Sequence, residues 1–149
     1  MLRLSKKADY GLMALMHFAG GEPGRSASAK EMADAYGLPL PLLAKVLQKL
    51  ARGGFLASAH GTNGGYKLAR DAQSISALEV IRAIDGPVFL TSCSTGEQCY
   101  RTRKCTVREP LYQIREQILS LLAKTSISAM SEDASRPSLV SLAANRTSV

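Results

Sequence analysis

The chain has 149 residues, of which 46% are hydrophobic and 21% are charged, so it can close a hydrophobic core and is not an intrinsically disordered chain. Its 19 Lys and Arg residues outnumber 12 Asp and Glu residues and give a formal net charge of +7, which favours phosphate-rich partners or anionic membrane surfaces. The apolar residues 11–20 are interrupted too early for a membrane span, and no signal-peptide cleavage pattern follows them. We therefore expect a cytoplasmic protein.

The N-terminal third of the chain predicts three helices, and a tight turn joins the second to the third. The glycine-rich residues 20–24 end the first helix. Ser28 and Glu31 form a capping-box pattern for a short second helix, which Gly37 can end in the left-handed conformation. Pro41 fits the first turn of the third helix, where its missing N–H has no consequence. Two short helices that meet across a glycine-containing turn are typical of a helix-turn-helix.

A β-hairpin and a fourth helix are predicted next. Residues 55–59 and 66–69 have the composition of short strands, and residues 60–65 supply the Gly and Asn that the connection between them needs. We interpret this hairpin as a wing. Ser76 and Glu79 then form a second capping-box pattern, which marks the start of the fourth helix.

The outward face of the third helix is predicted to read DNA. Lys45 and Gln48 have side chains that can bond to guanine and adenine edges in the major groove. The other basic residues are interpreted as phosphate contacts, and the wing tip as a minor-groove contact. The alternative to DNA binding is that these charged residues form a solvent-exposed helix face with no partner. The predicted DNA-binding residues are Lys30, Lys45, Gln48, Lys49, Arg52, His60 and Asn63.

Three cysteines, Cys93, Cys99 and Cys105, lie in a polar run with the spacing Cys-x5-Cys-x5-Cys. An odd number of cysteines crowded into such a run predicts a metal or redox site and not a secreted disulfide framework. The Arg and Lys residues that follow Cys99 would offset the negative charge of a thiolate-ligated cluster. Structural zinc, which usually takes closer cysteine pairs and four protein ligands, and inert thiols remain alternatives.

The fourth ligand of such a site is left open by the loop itself. The chain has two histidines, His17 and His60, and the predicted wing position of His60 makes it a poor candidate. Oxygen ligands remain, and the candidates are Asp9, Glu97 and Glu109.

A long C-terminal helix is predicted after the cysteines, with Thr106 and Glu109 as its capping pair. Its apolar positions are spaced 4, 3, 4, 3, which suits a helix–helix interface between two chains, antiparallel or crossed. Packing of this stripe on its own domain is the alternative. These positions are Val107, Leu111, Ile114, Ile118 and Leu121.

The predicted fold class is mainly α with a small β-hairpin, a winged helix-turn-helix followed by a long C-terminal dimerisation helix. Residues after the long helix show no sustained periodicity and predict a flexible tail. The predicted units are a DNA-binding domain at 1–86, a cysteine-bearing cluster loop at 87–106, the dimerisation helix at 107–130 and the tail at 131–149.

Residues 1–130 resemble the bacterial IscR/NsrR-type iron-sulfur winged-helix transcription regulators. The resemblance rests on Leu-Ser-Lys-Lys-Ala-Asp-Tyr-Gly-Leu near the start, Leu-Pro-Leu-Pro before the third helix, Gly-Thr-Asn-Gly-Gly-Tyr in the wing, Ile-Asp-Gly-Pro after the fourth helix, and the three cysteines. Leu-Pro-x-Pro, Gly-Pro-Val and Cys-Thr-Val-Arg look most like the subgroup that regulates the SUF iron-sulfur assembly genes.

The resemblance implies a homodimer with one iron-sulfur cluster per subunit, 2Fe-2S favoured over 4Fe-4S. Such a dimer would bind double-stranded DNA at a pseudo-palindromic promoter operator and change its affinity when the cluster is lost, oxidised or nitrosylated. It would be no enzyme and would contact no membrane.

Two departures from the family pattern bear on the site. IscR-like members place a ligating His three residues after the third cysteine, where this chain has Arg108, which has no lone pair for a metal. In the nitric-oxide-sensing members an acidic residue in the first helix of the partner subunit completes the site, and Asp9 occupies the matching place. Ala44 replaces the acidic base reader of IscR-like recognition helices, so their operator sequence does not carry over.

Three other functions are considered beside a sensor of iron-sulfur supply. A nitric-oxide or redox-responsive repressor of the same fold would use the same ligands. A thiol-redox enzyme has little support, because the chain has no Cys-x-x-Cys pair. A zinc-stabilised protein-interaction module is the alternative from a different class.

Overall fold

The computed structural model describes residues 3–61, 64–91, 93 and 99–136. Six α-helices and one antiparallel strand pair make up the regular structure of these residues, together with short 3-10 turns at Ala72–Ser74 and Thr102–Lys104. The predicted fold class is therefore confirmed. In chain order the elements are α1 (Lys6–Gly20), α2 (Ala29–Tyr36), α3 (Leu40–Arg52), β1 (Leu56–Ala59), β2 (Gly65–Leu68), α4 (Ala77–Asp85), α5 (Arg108–Lys124) and α6 (Ile127–Ser135).

The helix-turn-helix forms as the local sequence predicts. The Ser28 hydroxyl accepts from the backbone N–H of Glu31 at 3.1 Å, and the Glu31 carboxylate accepts from the backbone N–H of Ser28 at 2.6 Å, so the capping box is complete. Gly37 ends α2 with a φ of +63°, which is the left-handed conformation that favours glycine. Pro41 lies in the first turn of α3. The turn between the two helices is therefore fixed by residues on both sides of it.

The wing is a short antiparallel hairpin, and a third segment pairs with it. In the hairpin Ser58 lies opposite Tyr66. On the other side of β2, the backbone of Tyr66 exchanges hydrogen bonds of 2.9 and 3.0 Å with Ala27, a bridge that the sequence analysis missed. A Cβ at Gly65 would collide with the carbonyl oxygen of Ala27, so glycine allows this close approach. The bridge attaches the wing to the start of α2.

The hydrophobic core surrounds α1, which packs against α3, α4 and α6. Leu15 from α1 and Leu43, Leu47 and Leu50 from α3 are each 0% exposed. α4 contributes Val80, Ile81 and Ile84 to the same core. The apolar faces predicted for the third and fourth helices are thus buried together, and the opposite face of α3 remains on the surface.

The predicted boundaries of the C-terminal segment are wrong. A single helix over 107–130 and a tail from 131 were expected, but α5 ends at Lys124 and α6 runs from Ile127 to Ser135. α6 is capped by Ser126, whose hydroxyl accepts from Ala129 N at 3.1 Å. Ile127 is 0% exposed, because α6 packs on α1. Residues 137–149 of the predicted tail lie outside the described residues.

The start of α5 also differs from the expectation, because Thr106 does not cap it. The capping position is Val107, which provides no side-chain hydrogen bond to the first turn. Among the described residues, none of the helices is long and apolar enough to cross a membrane.

The first residues of α4 and α6 meet. Ser76 and Ser126, which cap these two helices, form an isolated antiparallel bridge. Ala77 N donates to Thr125 O and Ile127 N donates to Ile75 O, each at 2.9 Å. The chain therefore returns after α5 to the place where α4 began.

Candidate DNA-binding face and cysteine loop

The exposed face of α3 carries the two residues predicted to read bases. Lys45 and Gln48 are both exposed and lie three residues apart, so they are neighbours on the helix surface. Lys30 on α2, Arg52 at the end of α3 and His60 just after β1 are exposed as well. Asn63 lies outside the described residues. These positions leave the predicted side chains accessible to a partner, and their contact with DNA stays a prediction.

Lys49 has a different environment from the other residues predicted to contact DNA. Its ammonium donates a hydrogen bond of 2.8 Å to the backbone carbonyl of Ile84, in the last turn of α4. The last carbonyls of a helix have no partner inside the helix, and a cation there also interacts favourably with the helix dipole. Lys49 thus joins α3 to α4; its side chain is also exposed, and its contact with a phosphate stays a prediction.

The end of α4 is held from a second side as well. Asp85, the last residue of α4, accepts hydrogen bonds from the backbone N–H of Ser5 at 3.2 Å and from the Ser5 hydroxyl at 2.5 Å. Ser5 in turn caps α1 through Ala8 N. The cysteine-bearing segment therefore leaves the domain at a point that contacts both α1 and α3.

The cysteines lie at the surface beside the start of α5. Cys93 and Cys99 are exposed, and Cys105 is half-buried. The Thr91 hydroxyl lies 3.1 Å from the sulfur of Cys93, and the Thr102 hydroxyl donates to the carbonyl oxygen of Cys99 at 2.6 Å. Sequence reasoning missed both threonines, because a threonine near a cysteine carries no signal of its own.

A cavity of about 710 Å³ lies between the cysteine loop and the first turns of α5. Arg115, which sequence reasoning also missed, lies at this cavity, and its Nε donates to the carbonyl oxygen of Val88 at 3.0 Å. Two of the three predicted ligands thus share one cavity with cationic side chains. The lining residues are Thr91, Cys93, Thr102, Cys105, Arg108, Glu109, Tyr112 and Arg115.

The three cysteines suit a thiolate-ligated cluster, but their sulfur atoms do not lie close enough together to bind one. Three cysteines close to several basic residues match the ligand type and the charge balance of an iron-sulfur cluster. Among the described residues, which omit 92 and 94–98, no group of three or more His, Cys, Asp or Glu side chains is close enough to hold a metal ion. Ligation of one group by all three thiols therefore requires the loop to draw together.

The oxygen ligands considered for the fourth position lie in different places. Glu109 lines the cavity that contains Cys93 and Cys105 and accepts from Gln113 Nε2 at 2.8 Å. Asp9 is exposed in the first turn of α1. Glu97 lies outside the described residues. Among the described residues, which omit Glu97, Glu109 is thus the acidic candidate that lies near the cysteines within one chain.

The predicted dimer stripe on α5 is largely open to solvent. Val107, Ile114 and Leu121 are 56%, 45% and 66% exposed. On another face of the same helix, Leu119 is buried. Leu111 and Ile118, the other two residues of the stripe, are half-buried, so packing on its own domain and contact with a second chain both stay predictions.

Comparison with known proteins gives the family of the chain. The model of the Rrf2 family, described as iron-dependent transcriptional regulators, matches residues 4–133. The structure is similar to CymR (YrzC), the global cysteine regulator of B. subtilis, with a TM-score of 0.76 and 26% identity over 89% of this chain and 98% of that chain. It is also similar to T. potens IscR, with a TM-score of 0.67 and 27% identity over 89% of this chain and 88% of that chain.

A third solved structure, Staphylococcus aureus CymR, gives a TM-score of 0.67 and 26% identity over 86% of this chain and 97% of that chain. The resemblance to IscR-type regulators is confirmed at the level of the family, whose members are DNA-binding transcription regulators and not enzymes. Because the family model spans most of the sequence and the winged helix-turn-helix is present, the chain belongs to the Rrf2 family of iron-dependent transcriptional regulators.

Proposed function

We propose that this regulator is a homodimer that senses iron-sulfur status through a cluster held by Cys93, Cys99 and Cys105. The observation that carries the proposal is the cavity at the start of α5, where Cys93 and Cys105 lie beside Arg108 and Arg115 in a member of an iron-dependent family. The fourth ligand proposed from the resemblance is Asp9 of the partner subunit. When bound, the cluster supplies a group that oxidants, nitric oxide or iron shortage can alter.

The target genes proposed are those of SUF-type iron-sulfur assembly, on the family motifs described above. A homodimer would place two copies of α3 on DNA, and a symmetric dimer recognises a pseudo-palindromic operator. The exposed stripe Val107–Ile114–Leu121 supports this assembly, because a single chain leaves these apolar side chains in water.

The mechanism that we propose links the loop to α3 through the end of α4. Drawing the three thiols together would pull on the segment that begins at Asp85. Asp85 is hydrogen-bonded to Ser5, and the preceding residue, Ile84, provides the carbonyl that Lys49 binds. Lys49 extends from α3, the helix that also presents Lys45 and Gln48. A change in the loop can therefore shift α3 relative to the rest of the domain, and with it the fit to DNA.

A thiol-based sensor without a cluster is the second candidate. Its support is the exposure of Cys93 and Cys99 and the similarity to CymR, a cysteine regulator that is also known in an oxidized form in Staphylococcus aureus. Exposed thiols can be oxidised without any bound group. A repressor responding to nitric oxide through the same cluster differs from our first proposal only in the signal.

The cluster is tested by the anaerobic absorption spectrum and by the iron and acid-labile sulfide content of the purified protein. We expect a brown protein whose iron and sulfide disappear when all three cysteines are replaced by alanine and persist in Tyr100→Phe, a control at an exposed site in the same loop. A colourless protein after anaerobic reconstitution with iron and sulfide would contradict the proposal. Stoichiometric zinc in that protein would favour the interaction module instead.

The DNA-reading face is tested with a double substitution. Lys45→Ala combined with Gln48→Ala should abolish sequence-selective binding to a palindromic operator, while Lys124→Ala, an exposed lysine at the end of α5, should not. Gel-shift titrations at two salt concentrations separate selectivity from phosphate binding, because phosphate contacts alone give affinity that falls with salt. Unchanged selectivity in the double variant would refute the assignment of α3.

The coupling role of Lys49 is tested with Lys49→Met, which keeps the length of the side chain and removes its donor. We expect the ratio of operator affinities between cluster-loaded and cluster-free protein to move towards one. Lys49→Arg, which retains a donor, should keep more of this ratio. Loss of affinity by the same factor in both states would assign Lys49 a purely structural role.

A further inference from the structure

A second cavity, distant in sequence from the cysteines, takes no part in the function proposed above. It has a volume of about 440 Å³ and lies between the second half of α1, the end of α2 and the outer turns of α6. This volume falls in the range of small-molecule sites in proteins. Because α6 was not expected from the sequence, one wall of the cavity was not expected either.

The polar groups of this cavity include one permanent cation. Arg25 lines the cavity, is exposed, and forms no ion pair with any described residue. Glu31 is the nearby acid, and its carboxylate accepts from the backbone N–H of Ser28 at 2.6 Å, which is the main cause that lowers its pKa. The charge of Arg25 lowers that pKa further without a direct ion pair. The Arg25 guanidinium is therefore available to an anion that enters from solution.

His17 and Tyr36 supply further polar groups to the cavity and contact each other. His17 Nδ1 lies 2.9 Å from the Tyr36 hydroxyl, and the two rings meet edge to face. Burial first, and the charge of Arg25 second, lower the pKa of His17 below its ordinary value of 6.5. At neutral pH the imidazole is therefore uncharged, and it offers hydrogen bonds without adding a second positive charge.

The remaining walls are mostly apolar. Met13, Met16 and Phe18 of α1 and Ala134 of α6 line the cavity. Flexible methionine side chains adapt to ligands of different shape, and one cation among apolar walls selects for a molecule with one charged end. The hydroxyl of Ser131 lies at the same wall and contacts the Met16 carbonyl oxygen at 3.4 Å.

We propose that this cavity binds a small organic carboxylate, with its carboxylate on Arg25 and its hydrophobic body against Met13, Met16 and Phe18. Tyr36, the last residue of α2, lines the site, so a bound molecule would touch the helix-turn-helix directly. The site is independent of the cysteines and of the iron-sulfur proposal.

Titration with 3-phenylpropionate tests the proposal, with 3-phenylpropionamide as the neutral probe of the same shape. In protein labelled at the methionine methyl groups, the Met13 and Met16 signals should shift, while the signal of Met32, which is 1% exposed in the core, should stay. We expect the amide to bind about tenfold more weakly, because it lacks the charge that Arg25 recognises.

Two variants and one control locate the site. Arg25→Gln should weaken 3-phenylpropionate about tenfold, and Arg82→Gln, an exposed arginine on α4, should bind it like the unaltered protein. Ala134→Phe should fill the cavity and remove the methyl shifts. The proposal is overturned by equal binding of the acid and the amide, by unchanged affinity in Arg25→Gln, or by an absence of Met13 and Met16 shifts in the unaltered protein.

Discussion

Large apolar side chains are mostly buried in the winged-helix unit, which consists of α1–α4 and the hairpin, and several are exposed on α5. In the winged-helix unit Leu15, Leu43 and Leu47 are 0% exposed, whereas in α5 Ile114 is 45% and Leu121 is 66% exposed. The polar groups follow the same division, because both capping boxes of the winged-helix unit are complete while α5 begins without a side-chain cap.

This difference indicates which part of the protein depends on other molecules. A unit whose apolar groups are already buried has little to gain from a partner, whereas exposed apolar surface is stabilised by association. The three cysteines lie just before α5, and they too are exposed to solvent or line a cavity. We therefore expect the winged-helix unit to set the stability of the fold and the C-terminal region to set its assembly and response.

The largest effect should come from the core of the winged-helix unit. Leu47→Ala removes a side chain that is 0% exposed and should lower the free energy of unfolding by about 2–5 kcal/mol. Urea unfolding followed by circular dichroism measures this loss. Leu40→Ala, in the same helix but 40% exposed, is the matched control and should lose less than half as much. Equal losses would mean that burial does not distinguish the two positions.

The next effect tests whether the exposed stripe of α5 forms a dimer interface. Ile114→Asp places a charge in the exposed stripe of α5 and should weaken self-association by about 2 kcal/mol, because a carboxylate is buried there only if the dimer forms. Sedimentation velocity over a concentration series measures the dissociation constant. Ser120→Asp adds the same charge at an exposed position of α5 on the side away from the stripe. A dimer that tolerates Ile114→Asp as well as Ser120→Asp would have its interface elsewhere.

A smaller effect concerns the cap of α6. Ser126→Ala removes the hydroxyl that accepts from Ala129 N and should lower the free energy of unfolding by about 1 kcal/mol. Thermal or urea unfolding measures the change. Ser120→Ala, at an exposed position inside α5, should leave stability unchanged or raise it slightly, since alanine is the better helix former there. A harmless Ser126→Ala would mean that the packing of Ile127 alone holds α6.

The smallest effect is a dependence on pH. The hydrogen bond from the backbone N–H of Ser76 is the main cause that lowers the pKa of Glu79 below its ordinary value of 4.5. A carboxyl with a lowered folded pKa stabilises the protein above its unfolded pKa, and this stability is lost as the pH falls through the folded pKa. Glu79 is partly exposed, so screening keeps the contribution below about 1 kcal/mol.

Glu79→Gln should therefore reduce the difference in unfolding free energy between neutral and strongly acidic solution. Urea unfolding at both pH values measures it. Glu109→Gln, at the uncapped start of α5, is the matched control. It should reduce the difference in unfolding free energy between the two pH values by less than Glu79→Gln does. If the two substitutions flatten the pH dependence equally, the capping box is not its source.

The features that the sequence predicted well depend on residues close together in the chain. Both capping boxes and the left-handed Gly37 involve partners within a few positions, so the sequence pattern contains the whole interaction. The cap at Ser126 had a weaker local signal, because Ala129 stands where a capping box has Glu, and the residues 127–135 show little periodicity. There the decisive evidence is burial against α1, which the sequence does not display.

The site features that the sequence could not predict depend on distant partners. Lys49 is an exposed cation, but its hydrogen bond to the Ile84 carbonyl could not be predicted, because that acceptor lies 35 positions away in the sequence. The cavity that contains Cys93 and Cys105 depends on how the segment after α4 meets α5, which spacing alone does not determine. The cysteines could be identified from residue type, and their separation in the structure could not.

The bridge between Ser76 and Ser126 has a consequence for how this protein can change over evolution or in the laboratory. Since the chain returns to its starting point after α5, residues 77–125 form a closed loop whose two ends are joined by backbone hydrogen bonds. The entropy lost on closing such a segment rises only slowly with its length. Residues can therefore be added to or removed from the cysteine loop without displacing α6, so one DNA-binding scaffold can carry loops of different lengths and chemistries.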